Sequence, residues 1–471
     1  MSRTTTTTAA TMADDAIALY HGLLEADPAL ARESHEALDA GLHAEGLFFG
    51  DRPLCGVLRP HMLAAVDYAR VREVCRLVIG ASVKLGAAML ADERLMEPLR
   101  LGESERCLVR VDPGYGAVSA VSRLDAFLAG DDFHFIEYNA ETPAGGGYTD
   151  VLTSVFLRLP VVRRFLEAAP YSLQPFDNRG GVTRLLLDCY REWTASGHGG
   201  HGGRGDAPSI AIVDWEGLPT APEFRLYQRY FAEQGLACVI VDPRALDYRD
   251  GQLRHGDTTI NIVYKRVLTH ELLRREDEAR PLLRAYEDGA VCMVNAPRCK
   301  LFHKKAFFAL LTDEAYQAPL SPEERAAVAR HVPWTRRVAD GYTTFEGARV
   351  DLVELVRRRR DRFILKPNDE YGGKGVVVGW EGSDAAWDAA LAEALAGDHV
   401  VQERVPIGRA AFPAFVDGAL AFRDLAVDMD PYIIGGEADG FLTRIAGTTL
   451  LNVTAGGGST VPTFVLRAKG T

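Results

Sequence analysis

The chain has 471 residues, with 53 Lys and Arg against 65 Asp and Glu, for a formal net charge of −12. That acidic balance argues against nucleic acid or an anionic membrane as a main partner. No run of 18 apolar residues suggests a membrane span, so a cytoplasmic globular protein of two to four domains is expected. The cysteines (Cys55, Cys75, Cys107, Cys189, Cys238, Cys292, Cys299) are odd in number and form no CxxC, which fits reduced thiols better than a disulfide or zinc framework.

In chain order, residues 1–12 read as a disordered tail and 13–106 as an N-terminal helical region, with apolar residues at three- and four-residue spacings broken at Pro28, Pro53 and Pro60. Over 107–193 the period changes. CLVRVD, AVSAVSRLDAFL and FHFIEYN read as strands, followed by the helical stretches VLTSVFLRL and GGVTRLLLDCYREW. Residues 194–208, rich in Gly and His, read as a loop whose His198 and His201 are solvated polar residues rather than metal ligands. The strand–helix–strand order of 209–300 predicts a small α/β domain with a parallel sheet. In 301–471 a helix through KLFHKKAFFALLTDEAY precedes the strands RRDRFILKPN and GVVVGW, a helix DAAWDAALAEALAG, the strand HVVQERV and a strand-rich tail.

Only eight residues are Lys, against 45 Arg, and five of the eight lie within 300–374. An Arg-favouring codon bias explains the scarcity. The cluster reads either as chance or as a place where slender point charges are required and a planar guanidinium does not substitute.

Several constellations carry chemistry. Residues two apart in a strand share a face, roughly 6.6 Å apart. Arg123 and Asp125 therefore share one face with Leu124, Ala126 and Leu128 opposite, and Glu137 and Asn139 share one with Ile136 and Tyr138 opposite. Joined by the short connector 129–132 as a hairpin, they bring together hard oxygen ligands suited to Mg²⁺ and a fork for phosphate, or only an exposed cross-strand ion pair. Second, an apolar strand delivers Lys366 before a loop with Gly372, Gly373, Lys374 and Gly375, where backbone N–H groups can approach phosphate, although a plain glycine hairpin has the same pattern. Third, Gln402 and Glu403 end a buried strand, suiting a base and a ribose. Fourth, Arg444 followed by the glycine run 455–459 is a second anion nest or a turn. Walker A, GxSxG, HExxH and EF-hand signatures are absent. Cys299 lies four residues before His303 without an orienting third group, a coincidence of spacing.

R-L-D (123–125), E-Y-N-A-E-T-P (137–143), H-K-K (303–305), F-I-L-K-P-N-D-E-Y-G-G-K-G-V (363–376) and V-V-Q-E-R-V (400–405), in that order, resemble the ATP-grasp superfamily. The similarity is to its circularly permuted members related to the synthetase domain of glutathionylspermidine synthetase. The resemblance covers roughly residues 107–460 and leaves the N-terminal helices unexplained. It implies an α/β (α+β) permuted ATP-grasp fold, with a small parallel-sheet domain, that binds ATP and Mg²⁺. The implied activity is an ADP-forming carboxylate–amine ligase acting on small molecules, which makes an amide through an acylphosphate. By the same resemblance Lys304 or Lys305, Lys366, Gly373 and Lys374 hold phosphates, and Gln402 and Glu403 hold adenine and ribose. Asp125, Glu137 and Asn139 bind the metal, and Arg123, Lys366 and Arg444 are the catalytic candidates. The family often has Asp before its first lysine, whereas this chain has His303-Lys304-Lys305, which leaves open which Lys acts. The alternatives are a phosphotransferase of the same fold and a non-catalytic nucleotide-binding protein.

Overall fold

The computed structural model describes residues 9–129, 132–198, 207–447 and 458–469. Its central element is an antiparallel sheet that draws on both ends of the chain. The hairpin Val121–Ala129/Asp132–Asn139 pairs with the long strand Ala419–Ile434, which pairs in turn with Glu437–Ala446 and Arg409–Val416; Gly458–Val461 closes the far edge. The alternation seen in the sequence explains why the hairpin buries one face. Leu124, Ala126, Phe133, Phe135 and Tyr138 share one hydrophobic core with Val71, Val78 and Leu85 of the helix Ala65–Ala91. Gly86 of that helix permits a close approach, because a Cβ there would stand 2.8 Å from the Phe302 ring.

The hairpin carries a β-bulge. Asp125 pairs with Glu137 but Ala126 pairs with Phe135, so Ile136 is the extra residue. This corrects the expected placing of Ile136 beside Tyr138 on the apolar face: Phe135 and Tyr138 both reach the main core, and Ile136 packs instead with Phe127 and Ala426.

A second, antiparallel sheet carries the lysine strand Phe363–Pro367 between Val377–Val378 and His399–Glu403, with Thr335–Arg337 at the edge. A small α/β unit holds a third sheet, with four parallel strands in the order Cys292–Val294, Ile262–Lys265, Ile210–Val213, Cys238–Val241. It also contains an unforeseen three-stranded meander, Asp247–Arg249, Gln252–His255 and Thr258–Thr259.

Other expectations are corrected. CLVR (107–110) lies in the helix Glu103–Arg110, whose first turn is closed by Glu105 accepting from Gly102 N–H. His61–Ala64 is a strand rather than the start of a helix, because it pairs in parallel with Thr463–Ala468 from the far end of the chain; Tyr171–Gln174 pairs on that strand's other side. Residues 9–12 belong to the helix Ala9–Ala26, and residues 1–8 of the expected tail lie outside the described residues. The helix Ala65–Ala91 matches a membrane span by length and composition, contrary to expectation, and half of its apolar window is buried in the fold. The expected helix through 300–316 is broken into Lys300–His303 and Ala306–Leu311. At the break, Asn368 O accepts from Lys305 N–H, and Asn368 Oδ1 accepts from Ala306 N–H at 2.8 Å.

Asn295, just beyond the last parallel strand, ties the small unit to the hairpin. Its Oδ1 accepts from Ala120 and Val121 N–H, and its Nδ2 donates to the carbonyls of Val121, Ala140 and Glu141. Asn295→Ala would strand these buried backbone groups and is expected to lower the unfolding free energy by about 3 kcal/mol. Urea unfolding checks this, and a loss below about 0.5 kcal/mol would contradict the role given to Asn295.

Candidate functional site

The polar face of the hairpin forms as its spacing suggests. Arg123 faces Asn139 and Asp125 faces Glu137 across the strands. Arg123 Nε and Nη2 donate to the two Asp125 oxygens at 2.8 and 3.1 Å, Asn139 Nδ2 donates to Asp125 Oδ1 at 2.7 Å, and Arg123 Nη1 donates to Ala144 O at 2.7 Å. Burial works against the charge on Asp125, yet the Arg123 and Arg444 guanidiniums hold its carboxyl below the ordinary range. Glu137 is partly buried, and the Lys305 ammonium, 3.0 Å away, keeps its carboxyl low.

The bulge decides what reaches this face. In the ladder gap beside Ile136, its carbonyl accepts from Lys366 Nζ at 3.0 Å, while Ala126 N–H donates to Asp430 Oδ1 at 2.9 Å. Lys366 also donates to Gln402 Oε1 at 2.7 Å, and Gln402 Nε2 donates to Thr335 Oγ1 at 3.1 Å. Burial pushes the Lys366 ammonium down to about 8, opposed by Glu137. A small cavity between hairpin and lysine strand is lined by Glu137, Lys304, Lys305, Lys366, Gln402 and Phe302, although the Lys304 ammonium itself pairs elsewhere.

The helix break at 304–305 separates the two candidate lysines. Lys305 turns to Glu137 and donates to Glu370 O. Lys304 turns the other way, 2.7 Å from Asp369 and 3.2 Å from Glu105. Lys304 thus joins a buried network with Lys300 (2.5 Å from Asp369, 3.4 Å from Glu141) and Lys265 (2.9 Å from Glu141). Three carboxylates balance three ammonium groups there. His303 lies in the same network, and burial, then Lys300, push its imidazolium down to about 4. Burial raises the Cys299 thiol to about 12, so the Cys299/His303 spacing carries no thiolate nucleophile.

Arg444 joins the hairpin cluster: its Nη2 lies 2.8 Å from Asp125, 2.7 Å from Asp428 and 2.9 Å from Asp430. The run 448–457, with most of the expected nest, lies outside the described residues, as does His201. His198 Nδ1 pairs with Ser196 Oγ at 2.7 Å. Glu403 pairs with Arg362 at its strand end. Gly373 and Lys374 stay out of the cleft on an exposed turn; the Lys374 ammonium meets Glu370 at 3.4 Å. Sequence reasoning missed Asp428, Asp430, Asp369 and Glu141. The first two were open to discovery, since D-x-D in a strand-rich tail places both on one face. Among the described residues no three His, Cys, Asp or Glu side chains are grouped to hold a metal ion.

No family profile matches the sequence. Uncharacterized proteins of Mycobacterium bovis and Mycobacterium tuberculosis are each 22% identical over 476 residues, covering 94% of this chain and 80% of theirs. Among solved structures, a glutathione synthetase-like effector (GSS30) from Globodera pallida, in its apo form, superposes with a TM-score of 0.56 at 13% identity. The match covers 92% of this chain and 96% of that one. The chain therefore shares the overall fold of that glutathione synthetase-like structure.

The two lysines should separate in their effects. Lys304→Met leaves Asp369 and Glu105 short of a buried partner and is expected to cost about 3 kcal/mol in urea unfolding. Lys305→Met is expected to change stability by about 1 kcal/mol or less, because Glu137 keeps an open cavity beside it. Equal losses for the two would remove the distinction.

Proposed function

We propose that the protein is an ADP-forming carboxylate–amine ligase of circularly permuted ATP-grasp architecture, with the hairpin preceding the lysine strand in the chain. One observation carries this reading: Lys305 and Lys366, from different elements, meet Glu137 of the Arg123–Asp125–Asn139 face at a single cavity. Fixed cations around ionised oxygen ligands neutralise charge on a transferring phosphoryl group. The glutathione synthetase-like neighbour supports the same class through its fold.

Asp125, Glu137 and Asn139 fit Mg²⁺, being two ionised carboxylates in cross-strand register and an amide oxygen, a hard donor set that phosphate and water complete. The ion would supply charge neutralisation between phosphates. The chain's own residues do the rest. Lys305 and Lys366 hold the triphosphate as point charges, Gln402 fixes the Lys366 ammonium, and Arg123 supports the phosphoryl oxygens from the hairpin. The exposed turn with Gly373 and Lys374 closes over the phosphates, and Gln402 and Glu403 mark the adenine and ribose edge. The phosphoryl group passes to a substrate carboxylate, and an amine then displaces phosphate from the acylphosphate, so no protein nucleophile is required. A stable phosphoester product without an amide would instead mark the phosphotransferase reading.

The decisive experiment measures ADP release with panels of amino acids, short peptides and polyamines, with mass spectrometry of products. Amide formation that Glu137→Gln abolishes is expected, and Mg²⁺-dependent turnover untouched by Glu137→Gln would overturn the proposal. Lys366→Arg preserves charge but not the point geometry, and is expected to reduce kcat/KM at least about tenfold. The charged form of Lys366 binds phosphate, and its burial places the loss of that charge near pH 8. ATP affinity, measured by calorimetry, is therefore expected to fall above pH 8 by up to about tenfold per pH unit. A flat profile from pH 7 to 9.5 contradicts this.

A further inference from the structure

The two lysines at the helix break grip two successive residues of the glycine turn. Lys304 Nζ lies 2.7 Å from one Asp369 oxygen, and Lys305 Nζ donates to the carbonyl of Glu370. The break is also fastened to the residue before them. Lys305 N–H donates to Asn368 O at 2.9 Å, and Ala306 N–H donates to Asn368 Oδ1 at 2.8 Å. Lys300 holds the other Asp369 oxygen at 2.5 Å. Burial works against the charge on Asp369, yet the Lys300 and Lys304 ammonium groups hold its carboxyl at about 2. The root of the turn is thus fixed by charge, whereas residues 371–375 are exposed. Lys374 N–H reaches Tyr371 O and Val376 N–H reaches Gly373 O, both at 3.3 Å, a long hydrogen bond. Gly372, Gly373 and Gly375 sit at φ of 66°, 74° and 71°, a region glycine enters without strain, so the tip can rearrange while its root cannot.

An ammonium carries three hydrogens. Among the described residues Lys305 gives one to Glu137 and one to Glu370 O, which leaves the third for the cavity that it lines. We propose that Asp369 is a positioning residue: clamped by Lys300 and Lys304, it sets the Glu370 carbonyl on the phosphate-binding ammonium of Lys305, so that a phosphate held there orders the glycine turn above it. Phosphate, Glu137 and the Glu370 carbonyl then share one nitrogen. Lys374, whose side chain is 76% exposed and meets Glu370 only at 3.4 Å, is carried to the mouth of the cavity to add its charge. The doubled lysine has two tasks, since Lys305 meets the ligand and Lys304 sets the turn. This rests on the nucleotide reading above and assigns Asp369, which that reading did not use.

Endoproteinase Lys-C tests it on the full chain, with cleavage after Lys374 followed by mass spectrometry. Such cleavage follows the population of the open turn. Lys265, Lys300, Lys304 and Lys366 are buried, so Lys374 is the exposed target beside the cleft. The ligand is the ATP analogue AMP-PNP with Mg²⁺, and its affinity is measured in parallel by calorimetry. The bound analogue is expected to slow cleavage of the parent at Lys374 fivefold or more. Asp369→Asn is expected to bind the analogue within threefold of the parent yet to be protected less than twofold. Glu105→Gln removes the other carboxylate of Lys304 without touching the turn, and is expected to keep the parent's protection. Full protection of Asp369→Asn overturns the positioning role and leaves the nucleotide site standing, as does a parent that binds the analogue without protection. Equal loss in Asp369→Asn and Glu105→Gln also overturns it, because that marks a general loosening of the buried network. If the parent binds no analogue, the nucleotide reading falls and this inference with it. Should Asp369→Asn fail to fold, Asp369→Glu takes its place. It keeps the charge but shifts the root of the turn by one methylene, and the same split between retained affinity and lost protection is expected.

Discussion

The site depends on one extra residue in a hairpin. Without the bulge at Ile136, strict alternation would place Phe135 and Glu137 on the same face, and either the core or the carboxylate pair would be lost. The bulge lets Phe135 and Tyr138 both enter the core while Glu137 and Asn139 line up with Asp125 and Arg123. It also opens the ladder, and the two polar side chains that fill the gap, Lys366 at Ile136 O and Asp430 at Ala126 N–H, come from distant segments. A local irregularity of the backbone thus sets the geometry between the lysine strand, the long strand and the hairpin.

Around that point the protein keeps many charges out of water, and it does so by pairing them in two adjoining sets. The hairpin set is acid-rich and built on forks, with Arg123 and Arg444 each spanning carboxylate oxygens in two dimensions. The second set joins Lys265, Lys300 and Lys304 to Glu105, Glu141 and Asp369, linking the small α/β unit and the helix Lys300–His303 to the root of the glycine-rich turn. Lysine suits that role because a compact ammonium on a slender stem fits between packed walls where a guanidinium plane does not. The lysine cluster in the sequence therefore has two physical origins: Lys300 and Lys304 compensate buried acids, and Lys305 and Lys366 face the cavity.

Much of the site was legible in the chain itself. Two-residue spacing placed Arg123, Asp125, Glu137 and Asn139 on shared faces, and the apolar run 363–365 delivered Lys366, because strand periodicity is a property of the backbone. The same rule applied to D-x-D would have found Asp428 and Asp430. What it could not reach were groups whose role comes from another segment. Asn368, remote in sequence, breaks the helix at Lys305; Thr463–Ala468 turns Met62 and Leu63 into strand; Asn295 ties the small unit to the hairpin.

The sequence by itself determined the polar face of the hairpin and the lysine strand, since these follow from residue periodicity and backbone sterics. Only the tertiary structure decided which lysine faces Glu137, that Arg444 pairs with Asp125, and where the hairpin changes register. Those are choices among charge partners that are equivalent in local sequence and differ only in what burial brings within about 3 Å.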